Sequence, residues 1–341
     1  MAEVNYLEIL EKAWQEHLKP KLKDAPTVIS LFAGCGGSSL GYSMAGFKEL
    51  LAVEWDDNAV ETFKLNFKYI PVYHDDIGKL TVNEIFKQTG LNEGELDILD
   101  GSPPCQGFST AGKRILNDSR NDLFKEYIRI LRGLKPKVFV MENVSGMVKG
   151  KMKLIFAEIM RELKASGYKV SARLMNTMYF NVPQSRQRLI FIGVREDLGI
   201  EPSHPKAQNR PITAKNAIDN IKDEGKRLTP EAKKYWNKLK TGESASKYYP
   251  KGHLFGLIKL NPQKPSPTLT RTAGASKPVH WKEKRFIGIY ERAILQSFPC
   301  AFVWTGTWTD IYNRQGNSVP PLFMKAIAEH IKINVLQKLA A

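Results

Sequence analysis

Cysteine is rare in this chain, three in 341 residues, and Cys105 sits in the run DILDGSPPCQGFS, behind two prolines and ahead of a Gln-Gly pair. Pro103 and Pro104 fix two φ angles and push Ser102 and Pro103 toward extended backbone, while Gly101 and Gly107 allow tight turns around them. That collar suits a nucleophile that must meet one atom of a substrate, because a displacement of about 1 Å can cost about a hundredfold in rate. A structural thiol after an ordinary proline turn reads the same from this run alone. Some 35 residues later KVFVMENV forms an apolar strand that ends in Glu142 and Asn143, placing a carboxyl where it could pass a proton. VPQSRQRLIFIG adds Arg186 and Arg188, whose alternation points both to one strand face, toward Glu142, toward a phosphate, or simply to solvent.

A second constellation is built for a ligand. In TVISLFAGCGGSSLGYSMAGF a strand meets Gly34, Gly36 and Gly37 and then a helix, so the backbone can approach a polar group at the helix start. The dinucleotide fingerprint needs glycine where Ser39 stands, and no histidine suits a hydride site, which disfavours a NAD-linked oxidoreductase. AVEWDD closes the next strand with Glu54, able to accept from two ribose hydroxyls, and Trp55, a stacking face for adenine. HDDIG places Asp76 at a third strand end, within reach of an adenine amino group. A nucleoside cofactor without a pyrophosphate fits better than NAD, and S-adenosylmethionine is the commonest of these. A plain strand-to-helix turn followed by surface acids is the alternative.

Both sets need a sheet that delivers strand ends to one edge. TVISLFA, ELLAVEW, ILDGSPP and KVFVMENV are short apolar runs separated by amphipathic stretches near 38–45, 57–67 and 121–133, which predicts an α/β fold with a doubly wound, mostly parallel sheet. YKVSARLMNT and RLIFIGVRE, after a helix near 151–166, could pair as a hairpin. The first 25 residues read as a helical appendage, with Leu7, Leu10, Ala13, Trp14 and Leu18 at helical spacing, and residues 318–340 as a closing amphipathic helix.

The chain carries a net charge of +16, and residues 201–285 hold 19 Lys or Arg against 7 Asp or Glu, so the excess is concentrated in a Pro-, Asn- and Lys-rich segment. A polyanion, above all nucleic acid, is the partner this implies, although a solvated lysine-rich face would look alike. Three scattered cysteines argue against a disulfide framework and a structural zinc site, so no metal is expected. No apolar run approaches the ~18 residues of a membrane span, and the acidic, amphipathic start is unlike a secretory leader; the expectation is a cytoplasmic protein.

Taken together, FAGCGG, GSPPCQGFS, MENV, QSRQR, ERAILQSFP and RQGNSVPP resemble, in order and across nearly the whole chain, the cytosine-5 DNA methyltransferases, particularly bacterial modification enzymes. The resemblance implies a Rossmann-like S-adenosylmethionine-dependent methyltransferase domain with a smaller target-recognition domain: residues 1–194 catalytic, 195–312 recognition and hinge, and 313–341 returning to the catalytic part. It implies Cys105 as nucleophile, Glu142 as the acid at the base, and Arg186 and Arg188 as the arginines of the QxRxR motif. Cofactor contacts would be Phe32, Gly34, Gly36, Gly37, Glu54, Trp55, Asp76, Ile77, Pro104, Leu123, Asn317, Ser318 and Val319, with S-adenosylhomocysteine as product. Gln106, Ser109, Lys113 and Arg114 in the loop after the cysteine, with Thr268 and Arg271 in the Thr-Leu turn PTLTRTAGAS, would meet DNA. The partner implied is double-stranded DNA bound by a monomer, with a cognate restriction endonuclease acting separately. Members of the family that methylate tRNA share these motifs, and a catalytically inactive DNA-binding regulator is the reading from another class. The family usually has arginine where Tyr290 and Ile294 stand, a departure that touches local packing rather than chemistry.

Overall fold

The computed structural model describes residues 5–104, 122–150, 152–208, 210–249, 254–271 and 277–340. Its contacts divide the chain into two compact units. The larger holds residues 19–175, 187–206 and 324–341; the other holds 1–18, 176–186 and 207–323.

In the larger unit β1 (Thr27–Leu31), β2 (Lys48–Val53), β3 (Val72–Tyr73), β4 (Ile98–Gly101) and β5 (Val138–Val144) lie beside β6 (Tyr168–Asn176) and β8 (Gln187–Arg195) in one sheet, ordered β3-β2-β1-β4-β5-β8-β6. The first five pair in parallel, and β8 runs antiparallel to β5, with Glu142 opposite Ile190 and Val144 opposite Arg188. The two strands expected to form a hairpin are neighbours at one edge.

Helices α2 (Gly37–Met44), α3 (Asp57–Asn66), α4 (Val82–Thr89), α5 (Asp122–Leu134) and α6 (Met152–Ala165) connect the strands. Local chemistry sets their starts: Asp56 accepts from the Ala59 N–H, and Thr81 and Glu84 cap each other reciprocally. Covered on both faces, the central strands read as unbroken apolar runs, and Ile29, Leu51, Leu99, Tyr127, Phe139, Met141 and Phe191 form their common core. Phe139 meets Tyr127 and Tyr168 edge-on at 6.4 and 5.2 Å. Its ring occupies the space a Cβ at Gly193 would need, 2.0 Å away, so only glycine fits opposite it.

In the other unit α1 (Tyr6–Leu18) ends two residues before Pro20. A parallel pair, β7 (Gln184–Ser185) with β9 (Ser266–Pro267), ties the 184–186 segment to the Thr-Leu turn. Short helices α7 (Ala214–Ile218), α8 (Pro230–Trp236), α9 (Ile289–Leu295) and α10 (Trp308–Asn317) accompany a small core of Leu228, Ala232, Leu239, Ala245, Leu257, Val279 and Phe286. At the family departures Ile294 is buried and Tyr290 is half exposed, while Arg285 grips Glu291 through two hydrogen bonds of 2.7 and 2.8 Å. Position 294 therefore holds an apolar core side chain, and Arg285 supplies the cation for the buried acid. α11 (Pro321–Ile331) opens on a proline, and a π-helical turn at Lys332–Leu336 leads into α12 (Gln337–Ala340).

Candidate active site

The glycine turn after β1 leans on the end of β2. Phe32, Gly34 and Gly36 have φ of 59°, 57° and 93°, all left-handed, and the Ala33 N–H donates to the Val53 carbonyl at 3.0 Å. At Gly36 a Cβ would land 2.2 Å from the Phe67 ring, so glycine is required there by space as well as by backbone. At Gly34 a Cβ would meet no heavy atom within 4 Å, which leaves the turn open above that residue. Gly37 is the first residue of α2.

Glu54 locks this turn. Its Oε2 accepts from the Gly34 N–H at 2.8 Å, and its Oε1 accepts from the Trp55 and Asp56 N–H groups at 2.9 Å each. Three of its roughly four acceptor positions are thus engaged by backbone, and the remaining one lies on Oε2. Trp55 is 75% exposed, leaving its indole free to stack. Asp76 is exposed, accepting from the Gly78 N–H through Oδ1, and the neighbouring Ile77 is buried. Phe32 and Leu123 pack against the core from its edge. An acid for a diol, a bare indole, a second acid and an open glycine turn match the polar and aromatic parts of an adenosine.

Beneath this turn lie two buried acids that sequence reasoning missed. Ser39 and Tyr42, both on α2, donate to Glu49 on β2 at 2.9 Å and to Asp100 on β4 at 3.2 Å. Burial pushes Glu49 up to about 8 and Asp100 up to about 7; repulsion from Asp100 raises Glu49 further, and repulsion from Glu142 raises Asp100. Protonated, they fasten α2 to two strands of the sheet. Nothing in ELLAVEW marks the one carboxylate that turns inward.

β4 then delivers the proline loop. Gly101 sits so close to Tyr127 that a Cβ would come 2.8 Å from its ring, and the Tyr127 hydroxyl reaches the Val140 carbonyl at 3.4 Å. Asn143, 4% exposed at the end of β5, donates from Nδ2 to the Pro103 carbonyl at 3.3 Å and accepts from the Val144 N–H at 2.8 Å. The tether ends two residues before Cys105. Pro104 is exposed; Cys105, Gln106, Ser109, Lys113 and Arg114 lie outside the described residues.

Beside the tether, Glu142 is buried to 9% exposure and Arg188 Nε lies 2.5 Å from its Oε1. The N–H does not align as a hydrogen bond, so the pair is ionic contact, while Arg188 Nη1 donates to the Gln187 carbonyl at 2.8 Å. Arg186 has other partners. It belongs to the second unit, where its Nη1 donates to the Leu269 and Gly316 carbonyls at 3.1 and 3.0 Å. The expected shared face fails because Arg186 stands between β7 and β8, where strand alternation has no hold.

The same unit holds the Thr-Leu turn. Gln184 Oε1 accepts from the Leu269 N–H at 3.0 Å, and the Thr268 hydroxyl donates to the Ser185 carbonyl at 2.9 Å. Gly316 leaves room for this backbone, since a Cβ would come 2.3 Å from the Arg271 nitrogen. Arg271 is exposed. Asn317, Ser318 and Val319 follow Gly316 in this unit; the Ser318 hydroxyl donates to the Arg314 carbonyl, and Val319 is buried.

Sheet order, glycine turn and strand-end acids define a Rossmann-like methyltransferase. The structure of a candidate DNA modification methyltransferase encoded in an E. coli prophage superposes with a TM-score of 0.76 at 24% identity, covering 92% of this chain and all of that one. A DNMT2 triple mutant from Spodoptera frugiperda superposes with a TM-score of 0.68 at 21% identity, over 91% and 99% of the two chains, a likeness of fold. The C-5 cytosine-specific DNA methylase family matches residues 26–333, and the chain belongs to that family. Type II methyltransferase M1.HphI of Haemophilus parahaemolyticus is 34% identical over 89% of this chain and 86% of its own length. Type II methyltransferase M.NgoFVII of Neisseria gonorrhoeae is 31% identical over 90% and 86%. The activity is DNA (cytosine-5)-methyl transfer, and the family depends on S-adenosylmethionine. Among the described residues no helix is long and apolar enough to cross a membrane.

Proposed function

We propose that the chain acts on a cytosine turned out of duplex DNA, with Cys105 attacking C6 and Glu142 serving the base at N3. The observation that carries this reading is the pairing at the end of β5: Asn143 tethers the loop leading to Cys105 while Arg188 holds Glu142 beside it. Cytosine C5 is a poor nucleophile, and a thiolate adding to C6 converts the ring to an enamine whose C5 carries electron density. Glu142 would hold a proton at N3 and relieve the negative charge that addition places on the ring. Arg188 would fix that carboxyl and favour a nearby thiolate. Loss of the C5 proton and expulsion of the thiol then restore aromaticity.

S-adenosylmethionine, when bound, supplies the methyl group as an electrophilic sulfonium. Gly34, Gly36 and Gly37 would admit it to the strand ends, Glu54 would orient its ribose, Trp55 would stack on its adenine and Asp76 would accept from the adenine amino group. Phe32, Ile77, Pro104 and Leu123 complete that reading, with Asn317, Ser318 and Val319 assigned to it by the family's motif order. A stacked duplex hides C6, so the base must be extruded at a cost of about a few kcal/mol, offset by contacts to the DNA. Thr268 and Arg271, with the loop after Cys105, would make some of these. The setting that follows is a monomer in the bacterial cytosol or nucleoid, protecting sites that a separate endonuclease would cut.

The test is tritium transfer from labelled S-adenosylmethionine to duplex DNA and to tRNA, followed by bisulfite sequencing. Incorporation into duplex DNA at one cytosine context, lost in Cys105→Ser with cofactor binding retained, is expected. Full activity of Cys105→Ser, or incorporation into tRNA alone, would overturn the assignment.

A further inference from the structure

Two tryptophans of the recognition unit are each overlaid by two lysines. Lys259 Nζ stands 3.7 Å from the Trp236 ring centroid and Lys284 Nζ 5.3 Å from it. Around Trp308, Lys226 Nζ lies at 4.7 Å and Lys277 Nζ at 4.6 Å. Trp308 stacks on Tyr312 at 4.6 Å, and the buried Arg292 guanidinium covers the far ring at 3.6 Å. None of these four lysines has an acidic partner among the described residues, although other exposed lysines here, such as Lys247 and Lys282, do.

Gathering like charges without a counter-ion is unfavourable. Lys259 is held below the ordinary lysine range by burial and by Lys284, and Lys277 by burial, Lys226 and Arg292. Cation–π attraction offsets only part of such a cost at a half-buried ring. Trp236 adds an indole N–H that is buried and has no acceptor, beside a cavity of about 330 Å³ lined by Leu228, Lys233, Trp236, Asn237 and Lys284. Apart from the Asn237 amide oxygen, the polar side chains of the lining only donate. Adenine and cytosine edges would leave their amino donors unmet here, and a guanine edge offers acceptors but no charge for the lysines; an anion with several acceptor oxygens supplies both.

We propose that Trp236 with Lys259 and Lys284, and Trp308 with Lys226 and Lys277, are two stations that grip phosphodiester groups of the duplex backbone and set its position without reading its sequence. The proposal rests on the reading that this unit binds duplex DNA, and it names the chemistry of the contact. Phosphate contacts fix register and leave selection to base edges.

Binding of a labelled duplex, cognate or scrambled, is measured against salt between about 50 and 200 mM for wild type and two double variants, Lys259→Gln/Lys284→Gln and Lys226→Gln/Lys277→Gln. Each lost phosphate contact should reduce the slope of log K on log salt by about 0.9, equally on both duplexes. Arginine at the same pairs should restore the slope, which a misfolded variant would not do. Lys64→Gln/Lys87→Gln, in the other unit, should leave it unchanged. The proposal fails if the slopes of the double variants match wild type, if the Lys64/Lys87 control falls equally, if the methylated sequence changes, or if the lysines matter only for RNA of equal length. A wild-type chain that neither binds nor methylates duplex DNA would instead overturn the reading beneath it.

Discussion

Replacing Asn143 by alanine separates positioning from folding at this site. The change removes the donor to the Pro103 carbonyl, bonded at 3.3 Å, and the acceptor for the Val144 N–H. Val144 is half exposed, so water can replace the second bond at little cost. Pro103 is buried, and losing one hydrogen bond to its carbonyl costs about 1 kcal/mol. A loss of about 1 kcal/mol corresponds to a fall of a few degrees in Tm. The rate should respond far more strongly. If the tether sets the loop that leads to Cys105, a shift of about 1 Å reduces the chemical step by about tenfold to a hundredfold. Single-turnover transfer of labelled methyl to duplex DNA reads the rate, a thermal melt reads stability, and calorimetry reads cofactor affinity. We expect a slow chemical step, a small loss of Tm and unchanged cofactor binding, because Glu54 and Asp76 are untouched. A wild-type single-turnover rate would refute the positioning argument, and an equal loss of cofactor affinity would show that the whole sheet edge had collapsed.

Gly36→Ala should lower Tm by several degrees and abolish cofactor binding, whereas Gly34→Ala, with open space above it and only about 1 kcal/mol of left-handed strain, should fold yet bind cofactor more weakly; melts with and without S-adenosylhomocysteine compare them. Glu54→Ala should weaken S-adenosylhomocysteine more than tenfold in calorimetry by losing the acceptor and the lock on Gly34; unchanged affinity would remove Glu54 from the site. Asp100 and Glu49 hold protons to about 7 and about 8 in the folded chain but release them near pH 4 when unfolded. The folded state therefore binds more protons across that window, and stability falls as pH rises through it. Asp100→Asn should flatten the decline in Tm between about pH 4 and about pH 7, and calorimetry giving the wild-type slope would contradict the assignment.

Features set by local chemistry were legible in the sequence. The sheet, the glycine turn and Glu54 follow from apolar period, backbone freedom and strand-end position, each confined to a few consecutive residues. The links that organise the site were hidden because they join distant segments. Asn143 reaches back 40 residues to Pro103, and Glu49 looks like a solvent-facing strand residue until α2 folds Ser39 over it. Arg186 and Arg188 read as a matched pair, yet the break between β7 and β8 sends one to main-chain carbonyls and the other to Glu142. The family motif located Cys105 without reference to any of these contacts.

The backbone passes between the two units five times, and one short visit, residues 176–186, supplies β7 to the strand pair that carries the Thr-Leu turn. If this unit reads the target, as proposed, its Thr-Leu turn is not a detachable cassette. A chimaera that exchanged only the residues after β8 would inherit a turn without its Gln184 acceptor and its Arg186 donor, unless the host happened to match them. Under that proposal, drift in target preference would proceed in step at two places far apart in the gene, which favours gradual side-chain change over wholesale transplantation.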